Sequence, residues 1–290
     1  MTPGPETSGN GDSLVALVTG ASSGIGQATV RRLARRGALV AAVARREDRL
    51  ADLAAESRRV LAIPADITDS KQGRAAVGRV TDEFGRLDVL VNNAGVMLLG
   101  PFDASPEADW RRMMDVNLNG LLHLTQEAIP HLRAAAASGP RGVADLINVG
   151  SVAGRIARGG SAVYNATKFG VTAFSEALRQ ELAPDGVRVC CVEPGAVATE
   201  LLTHVDQTVR ERMLAGPYRG IQPVAADDIA ATIEFIVQLD PAAAINEILI
   251  RPARQGFLSD HRAASAKESR SSARATFSVA LRGSRSTIRR

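Results

Sequence analysis

Short apolar runs alternate along the chain with longer stretches in which apolar positions recur every three or four residues. The runs are nearly continuous in apolar, often β-branched residues, which is typical of strands covered on both faces. They predict seven strands, at residues 14–19, 39–43, 60–64, 87–91, 143–149, 187–193 and 245–250. The amphipathic stretches predict helices at residues 24–36, 46–57, 70–84, 106–136, 161–182 and 227–239. This alternation predicts the α/β class, as a single doubly wound domain in which helices flank a seven-stranded parallel sheet.

Local signals predict where two of the helices begin and end. Ser105 and Pro106 supply a capping residue and a first-turn proline for the helix at 106–136. Gly37 follows the first helix, where a glycine commonly ends a helix. These signals support the predicted bounds of both elements.

Two terminal segments fall outside the alternation, which leaves one domain at residues 14–255. Residues 1–13 are polar, and we expect a flexible leader rather than a signal peptide. Residues 256–290 are rich in Ser, Arg and Ala without an apolar period, and we expect a basic, disordered tail.

Composition and charge narrow the function classes. The chain has 290 residues, 45% of them hydrophobic, and a net charge of +4. Residues 251–290 carry ten Lys or Arg against two Asp or Glu, so the tail alone makes the chain basic. It lacks interleaved Tyr or Trp and any base-reading module, so we do not expect nucleic acid as a partner.

The cysteines and the longest apolar runs indicate where in the cell the protein is expected. Cys190 and Cys191 are the only cysteines, and neighbours in a strand point to opposite faces. We therefore expect no disulfide, and the spacing also predicts no metal site. No apolar run approaches the ~20 residues that cross a bilayer. We expect a cytoplasmic protein that does not associate with a membrane.

A glycine-rich turn follows the first predicted strand and opens the first helix. Glycines allow backbone N–H groups to approach an anion, and the helix N-terminus adds partial positive charge. This is typical of the pyrophosphate-binding turn of a Rossmann dinucleotide fold. The alternative is a turn that only tightens a strand–helix corner. The candidate binding residues here are Gly20, Ser22, Ser23, Gly24, Ile25 and Gly26.

Two further motifs suggest a family. The segment NNAG at 92–95 follows the fourth predicted strand, and YNATK at 164–168 lies on a later helix. Together with the glycine spacing they resemble the short-chain dehydrogenase/reductase family over about residues 14–251. The segments at 193–200 and 244–252 resemble its clavulanate-dehydrogenase-like and 3-hydroxy-acid-dehydrogenase-like branch. The resemblance implies hydride transfer between a nicotinamide cofactor and a small-molecule carbonyl or alcohol.

A tyrosine and a lysine one helical turn apart form the candidate catalytic pair. Tyr164 and Lys168 share a helix face, and a nearby ammonium is expected to lower the tyrosine pKa toward neutral pH. An ordinary surface pair is the alternative. The family resemblance completes a tetrad with Ser151, which orients the substrate oxygen, and Asn117, which holds a water linking Lys168 to solvent.

The end of the second predicted strand bears on the choice of dinucleotide. Ala44 stands where a carboxylate would bind the adenosine ribose, and Arg45 and Arg46 follow it. A guanidinium suits a 2′-phosphate, so NADP(H) is expected over NAD(H). The alternative is that both arginines only open a solvated helix. Ser23 departs from many NADP-dependent relatives, which have a basic residue there. By resemblance, further cofactor contacts come from Asp66, Ile67, Asn93, Ala94, Gly95, Tyr164, Lys168, Pro194, Gly195, Val197 and Thr199.

Two long helices predict self-association. One apolar face covers the sheet, and a second needs a partner. Examples of apolar residues on these two or more faces are Leu118, Leu121, Leu122 and Leu124 in the helix at 106–136. In the helix at 161–182 they are Val171, Phe174 and Leu178. The resemblance implies that these helices pair in a homodimer or homotetramer.

Three functions stay open at this point. The first is an NADP-dependent oxidoreductase acting on a small-molecule carbonyl or alcohol. The second is a 3-oxoacyl-carrier-protein reductase, with the same chemistry. The third is a dinucleotide-binding regulatory protein whose basic tail contacts nucleic acid. Residues 200–224, which cover the substrate in the family, mix apolar and charged side chains and do not name a substrate.

Overall fold

An all-parallel, seven-stranded sheet forms the centre of this computed structural model, which describes residues 13–215 and 218–255. Its strands are β1 (Val15–Thr19), β2 (Leu39–Ala44), β3 (Val60–Pro64), β4 (Val89–Asn92), β5 (Ala144–Val149), β6 (Val187–Pro194) and β9 (Glu247–Ile250). Their order is β3-β2-β1-β4-β5-β6-β9. The predicted single doubly wound α/β domain is confirmed. The predicted leader, apart from Ser13, and the predicted tail lie outside the described residues.

Eight α-helices are found in the described ranges. They are α1 (Gly24–Arg35), α2 (Glu47–Ala55), α3 (Ser70–Phe84), α4 (Glu107–Met114), α5 (Gly120–Ser138), α6 (Ala162–Leu182), α7 (Gln207–Ala215) and α8 (Ala226–Val237). Two short strands, β7 (Val197–Ala198) and β8 (Val224–Ala225), pair with each other outside the main sheet. The sequence prediction missed α7, β7 and β8. The two strands are too short to show a period, and the apolar positions of α7 do not form one face.

The helix predicted at 106–136 differs from the observed one in two respects. A π-helical segment at Asp115–Asn119 separates α4 from α5, and a hydrophobic period does not distinguish this wider turn from α-helix. The expected cap is also wrong, because Pro106 is the capping residue and the Ser105 hydroxyl donates to the Pro101 carbonyl. Gly37 does follow α1, with φ of 93°.

Side chains from alternate positions of each strand pack on opposite faces of the sheet. Leu17 belongs to the layer formed with α3, α5 and α6, whereas Ala16 and Val18 face α1, α2 and α8. Both layers are almost entirely aliphatic. Cys190 and Cys191 are free thiols on opposite faces, as expected. With both faces covered, the carboxyl edge of the sheet remains open for a ligand.

The apolar side chains named on the two long helices divide between buried and partly buried positions. Four of the seven side chains are buried within the chain's own core: Leu121, Leu124, Val171 and Leu178. The other three pack against them and are partly buried. Phe169, 42% exposed, adds one apolar side chain on α6. The homodimer or homotetramer stays a prediction.

Two absences hold for the part of the chain that the structure describes. None of its helices combines the length and apolar character that crossing a bilayer requires. No group of three His, Cys, Asp or Glu side chains comes together there as a metal site.

Candidate active site

A cavity of about 710 Å³ opens at the carboxyl ends of β1, β4, β5 and β6. Its size lies within the usual range for small-molecule sites, and its position is the usual one in doubly wound sheets. Every predicted cofactor-binding residue except Gly26 lines this cavity, and so do Ser151, Tyr164 and Lys168. Gly26 and Asn117 are buried beside it and do not line it. The fold thus gathers residues from distant parts of the chain in one pocket.

At three positions of the glycine-rich turn, Gly20, Gly24 and Gly26, the backbone angle or the nearby atoms leave no room for a larger residue. Gly20 and Gly24 have φ of 65° and 54°, in the left-handed region. A Cβ on Gly26 would lie 2.5 Å from Asn93 Nδ2 and 2.5 Å from the Gly20 carbonyl oxygen. Asn93 in turn donates to the Thr19 carbonyl at 2.9 Å, so it braces the turn. The open backbone at the start of α1 fits the pyrophosphate of a dinucleotide.

Adding a methyl group at Gly26 is expected to disrupt this turn. Gly26→Ala should destabilise the chain by roughly 1–3 kcal/mol, because the clashing atoms are largely backbone. It should also weaken NADPH binding at least about tenfold. Thermal unfolding and fluorescence titration measure the two effects. Gly78→Ala on α3 is the matched control, since a Cβ there meets nothing within 4 Å. Unweakened NADPH binding by Gly26→Ala would contradict the assignment of the turn.

Ser151, Tyr164 and Lys168 meet on one wall of the cavity. Ser151 precedes a short 3-10 turn, and its Oγ accepts from the Ala153 amide at 3.1 Å. Tyr164 and Lys168 are one turn apart on α6 and each is 6% exposed. The Lys168 ammonium donates to the Val149 carbonyl at 2.9 Å and lies 5.9 Å from the centre of the Tyr164 ring.

Burial dominates the electrostatics of this pair. It raises the pKa of Tyr164 to about 12, against a smaller lowering by the Ser151 hydroxyl. It lowers the pKa of Lys168 to about 8. The expectation that Lys168 lowers the Tyr164 pKa is wrong for the chain by itself, since desolvation of the phenolate prevails. Tyr164 therefore keeps its proton at neutral pH and can donate it.

Asn117 has a bracing contact that sequence reasoning missed. It lies in the π-helical segment, where its Oδ1 accepts from the Val96 amide at 2.8 Å. Its Nδ2 donates to the Val96 carbonyl at 2.9 Å and to Thr167 Oγ1 at 3.2 Å. The side chain thus ties the segment after β4 to α6. Its expected role in holding a water stays a prediction.

A buried carboxylate, also missed, links the Ser151 turn to α6 on the wall of the cavity that holds Ser151, Tyr164 and Lys168. The Glu193 side chain is fully buried and pairs with Arg155, which follows the Ser151 turn. Its other oxygen accepts from Thr172 Oγ1 on α6 at 3.2 Å. Arg155 also pairs with Glu247 on β9. Glu193 is a single acid among strand residues, so the sequence pattern carries no signal for this link.

The end of the cavity beside the carboxyl end of β2, here called the ribose end, holds two arginines. Arg45 Nη1 lies 3.8 Å from Asp66 Oδ2. Arg46 donates from Nε to Ser22 Oγ at 3.0 Å and from Nη2 to Ser23 Oγ at 2.8 Å. Arg46 therefore links the start of α2 to the glycine-rich turn.

Comparison with known proteins identifies the family of this chain. Residues 14–210 match the sequence model of the family described as short chain dehydrogenase. The chain belongs to this family. A serine 3-dehydrogenase of Rhizobium radiobacter is 37% identical over 243 residues, which are 83% of this chain and 94% of that protein. This short-chain dehydrogenase is accordingly an NAD(P)-dependent oxidoreductase that acts on alcohol or carbonyl substrates. Membership in the clavulanate-dehydrogenase-like and 3-hydroxy-acid-dehydrogenase-like branch stays a prediction.

Two solved structures share the family fold with a TM-score of 0.74 each. One is a 3-ketoacyl-(acyl-carrier-protein) reductase from Brucella melitensis complexed with NADH. It is 31% identical, and the match covers 84% of this chain and 99% of that one. The other is the closed form of a serine dehydrogenase complexed with NADP+. It is 30% identical, and the match covers 85% and 98%.

The lowered pKa of Lys168 predicts a measurable effect on stability. The ordinary value of 10.5 falls to about 8, so the charged lysine opposes folding at neutral pH. Between about pH 8 and 10.5, Lys168 is mostly neutral in the folded chain and still charged in the unfolded chain. The free-energy cost of burying a charged lysine therefore disappears as the pH rises through this window. The stability of the native chain relative to Lys168→Met should thus rise across this window, by up to about 3 kcal/mol at ~1.4 kcal/mol per pKa unit.

Denaturant unfolding of both proteins at pH 7, 8.5 and 10 checks this pH dependence. Tyr164 is present in both and cancels in the difference. Lys71→Met, on the exposed face of α3, is the control for replacing a lysine by methionine. A difference that stays constant between pH 7 and pH 10 would contradict the lowered pKa.

Proposed function

We propose that this enzyme prefers NADP(H) and interconverts a carbonyl group and an alcohol on a small molecule, with Tyr164 as the proton donor. The observation that carries this proposal is a buried tyrosine beside Ser151, in the same cavity as a glycine turn suited to pyrophosphate. Burial raises the pKa of this tyrosine, which favours the protonated form. Hydride transfer is the chemistry that a bound nicotinamide supplies.

The chain's own residues handle the oxygen of the substrate. Tyr164 holds a proton at Oη and gives it to that oxygen as the carbonyl is reduced. Ser151 Oγ accepts from the Ala153 amide, a bond that leaves the hydroxyl proton for the same oxygen. Lys168, anchored to Val149, keeps a nitrogen beside the tyrosine and, by family resemblance, binds the nicotinamide ribose.

Apolar side chains pack around Tyr164 and contribute to its burial. Tyr164 packs in a cluster with Val96 and Met113, against which Trp110 and Val163 are partly buried. An apolar wall of this kind strengthens each polar contact with the substrate oxygen. It also favours the neutral phenol over the phenolate, in agreement with the raised pKa of Tyr164.

The ribose end supports the proposed preference for NADP(H). β2 ends in Ala44, which offers no carboxylate to the ribose hydroxyls, and Arg45 and Arg46 line the cavity beside it. Guanidinium groups bind phosphate in paired, charge-assisted hydrogen bonds. The serine dehydrogenase structure with NADP+ agrees with this choice, whereas the Brucella reductase was solved with NADH.

A 3-oxoacyl-carrier-protein reductase is the second candidate, favoured by the similarity to the Brucella enzyme. A panel of aldehydes, ketones, hydroxy acids and acetoacetyl-coenzyme A, followed by NADPH absorbance, separates the two. Turnover of small carbonyls supports the main proposal, and turnover of acetoacetyl-coenzyme A alone supports the second. Binding of NADPH without turnover of any compound would overturn both.

A further inference from the structure

Three guanidinium groups and two carboxylates meet around the ribose end of the cavity. Arg46 Nη1 lies 2.8 Å from Glu200 Oε2, and Arg49 Nη1 lies 3.9 Å from Glu200 Oε1. Arg45 faces the other carboxylate, Asp66. Glu200 thus forms ion pairs with two of these three arginines, Arg46 and Arg49.

Arg46 has anchors other than Glu200. Two of its nitrogens donate to the hydroxyls of Ser22 and Ser23, which fix the guanidinium to the glycine-rich turn. Only Nη1 is directed at Glu200. Removing the charge of Glu200 should therefore leave the guanidinium in position and change only which anion it meets.

A 2′-phosphate brought to these arginines would approach a carboxylate of the same charge. The hydrogen bond from Arg46 is the main cause that holds the pKa of Glu200 below its usual value, so the group is ionised at neutral pH. Like charges a few Å apart repel at a partly exposed site, although water weakens the effect. The phosphate gains full use of Arg46 and Arg49 only when Glu200 moves away.

We propose that Glu200 competes with the 2′-phosphate of NADP(H) for Arg46 and Arg49 and so limits the selectivity of this enzyme for NADP(H) over NAD(H). The inference rests on the proposed binding of a dinucleotide in the cavity. It makes Glu200 a specificity-determining residue at the ribose end. The arginines attract the 2′-phosphate, and the Glu200 carboxylate opposes that attraction. The net preference for NADP(H) is the difference between these two contributions to the binding free energy.

Calorimetric titration of Glu200→Gln tests this competition without any turnover. The probes are adenosine 2′,5′-bisphosphate and adenosine 5′-monophosphate, which differ in the 2′-phosphate. We expect the variant to bind the bisphosphate about three- to tenfold more tightly and the monophosphate as the native chain does. The gain should shrink in high salt, which screens exposed charges.

Glu211→Gln is the matched control. Glu211 is exposed on α7, where it accepts from Gln207 Nε2 at 2.8 Å, so its loss removes one negative charge from the same segment. It should not alter the ratio of the two affinities. In an Arg46→Met background, the gain from Glu200→Gln should become smaller, because only Arg49 and the direct repulsion remain.

Two results would overturn the proposal. Weaker or unchanged binding of the bisphosphate by Glu200→Gln would show that the carboxylate positions Arg46 or has no role in selectivity. An equal gain in Glu211→Gln would show a general charge effect. The proposed preference for NADP(H) is tested separately, and it fails if the native chain binds NADH more tightly than NADPH. In that case the tighter binding of the bisphosphate by Glu200→Gln can still be measured.

Discussion

Replacing Tyr164 with Phe is expected to lower kcat for carbonyl reduction by at least about a hundredfold, the low end for loss of a general acid. The phenol is the group that lies beside Ser151, is 6% exposed and keeps its proton at neutral pH. Phenylalanine retains the ring and its packing in the apolar cluster, so the fold and the glycine-rich turn should persist. NADPH binding should therefore not weaken.

Steady-state rates and an NADPH titration of the same preparation distinguish loss of chemistry from loss of binding. Tyr218→Phe removes a hydroxyl from the only other tyrosine, which also lines the cavity, and should retain most of the activity. If Tyr164→Phe turns over at a near-native rate, the proton donor is a different group. If NADPH binding falls together with the rate, the substitution has damaged the cofactor site instead.

A double substitution at the end of β2 is expected to reverse the proposed preference for NADP(H). Ala44→Asp with Arg45→Leu adds a carboxylate that accepts from the ribose hydroxyls and deletes a cation suited to the 2′-phosphate. It also leaves Asp66 without the guanidinium now 3.8 Å away, which adds negative charge at the ribose end. The ratio of kcat/KM for NADPH to that for NADH should fall by at least about a hundredfold.

The measurement is kcat/KM with each cofactor for the native chain, each single variant and the double variant. Arg58→Leu is the control, because Arg58 is exposed and does not line the cavity. A native chain that already prefers NADH would contradict the role assigned to Arg45. An unchanged ratio in the double variant would shift that role to Arg46, which the two serines hold at the turn.

The architecture of the domain could be predicted from local pattern because each strand and most helices carry their own signal. Nearly continuous apolar runs indicate strands covered on both faces, and a three-to-four-residue period indicates the helices that cover them. The exceptions are elements without such a signal. The π-helical segment at Asp115–Asn119 keeps the helical period, and α7 has no apolar face.

The candidate site was predictable where its parts are short motifs. The glycine-rich turn and the Tyr164–Lys168 pair each lie within a few residues, so spacing alone places their groups together. Residues that meet across the fold carry no such pattern. Arg46 and Glu200 are 154 positions apart, and Arg155 and Glu193 are 38 apart. Only the packing of the sheet edge brings these charges into contact.

The sequence by itself determined the fold class, the open edge of the sheet and the motifs placed there, because these follow from periodicity and from local backbone chemistry. Tertiary structure decided the pKa values of the Tyr164–Lys168 pair. Burial raises the pKa of Tyr164 and lowers that of Lys168, whereas the spacing of the two residues predicted the opposite shift for the tyrosine. The reason is that desolvation depends on everything packed around a group, and no short stretch of sequence contains those neighbours.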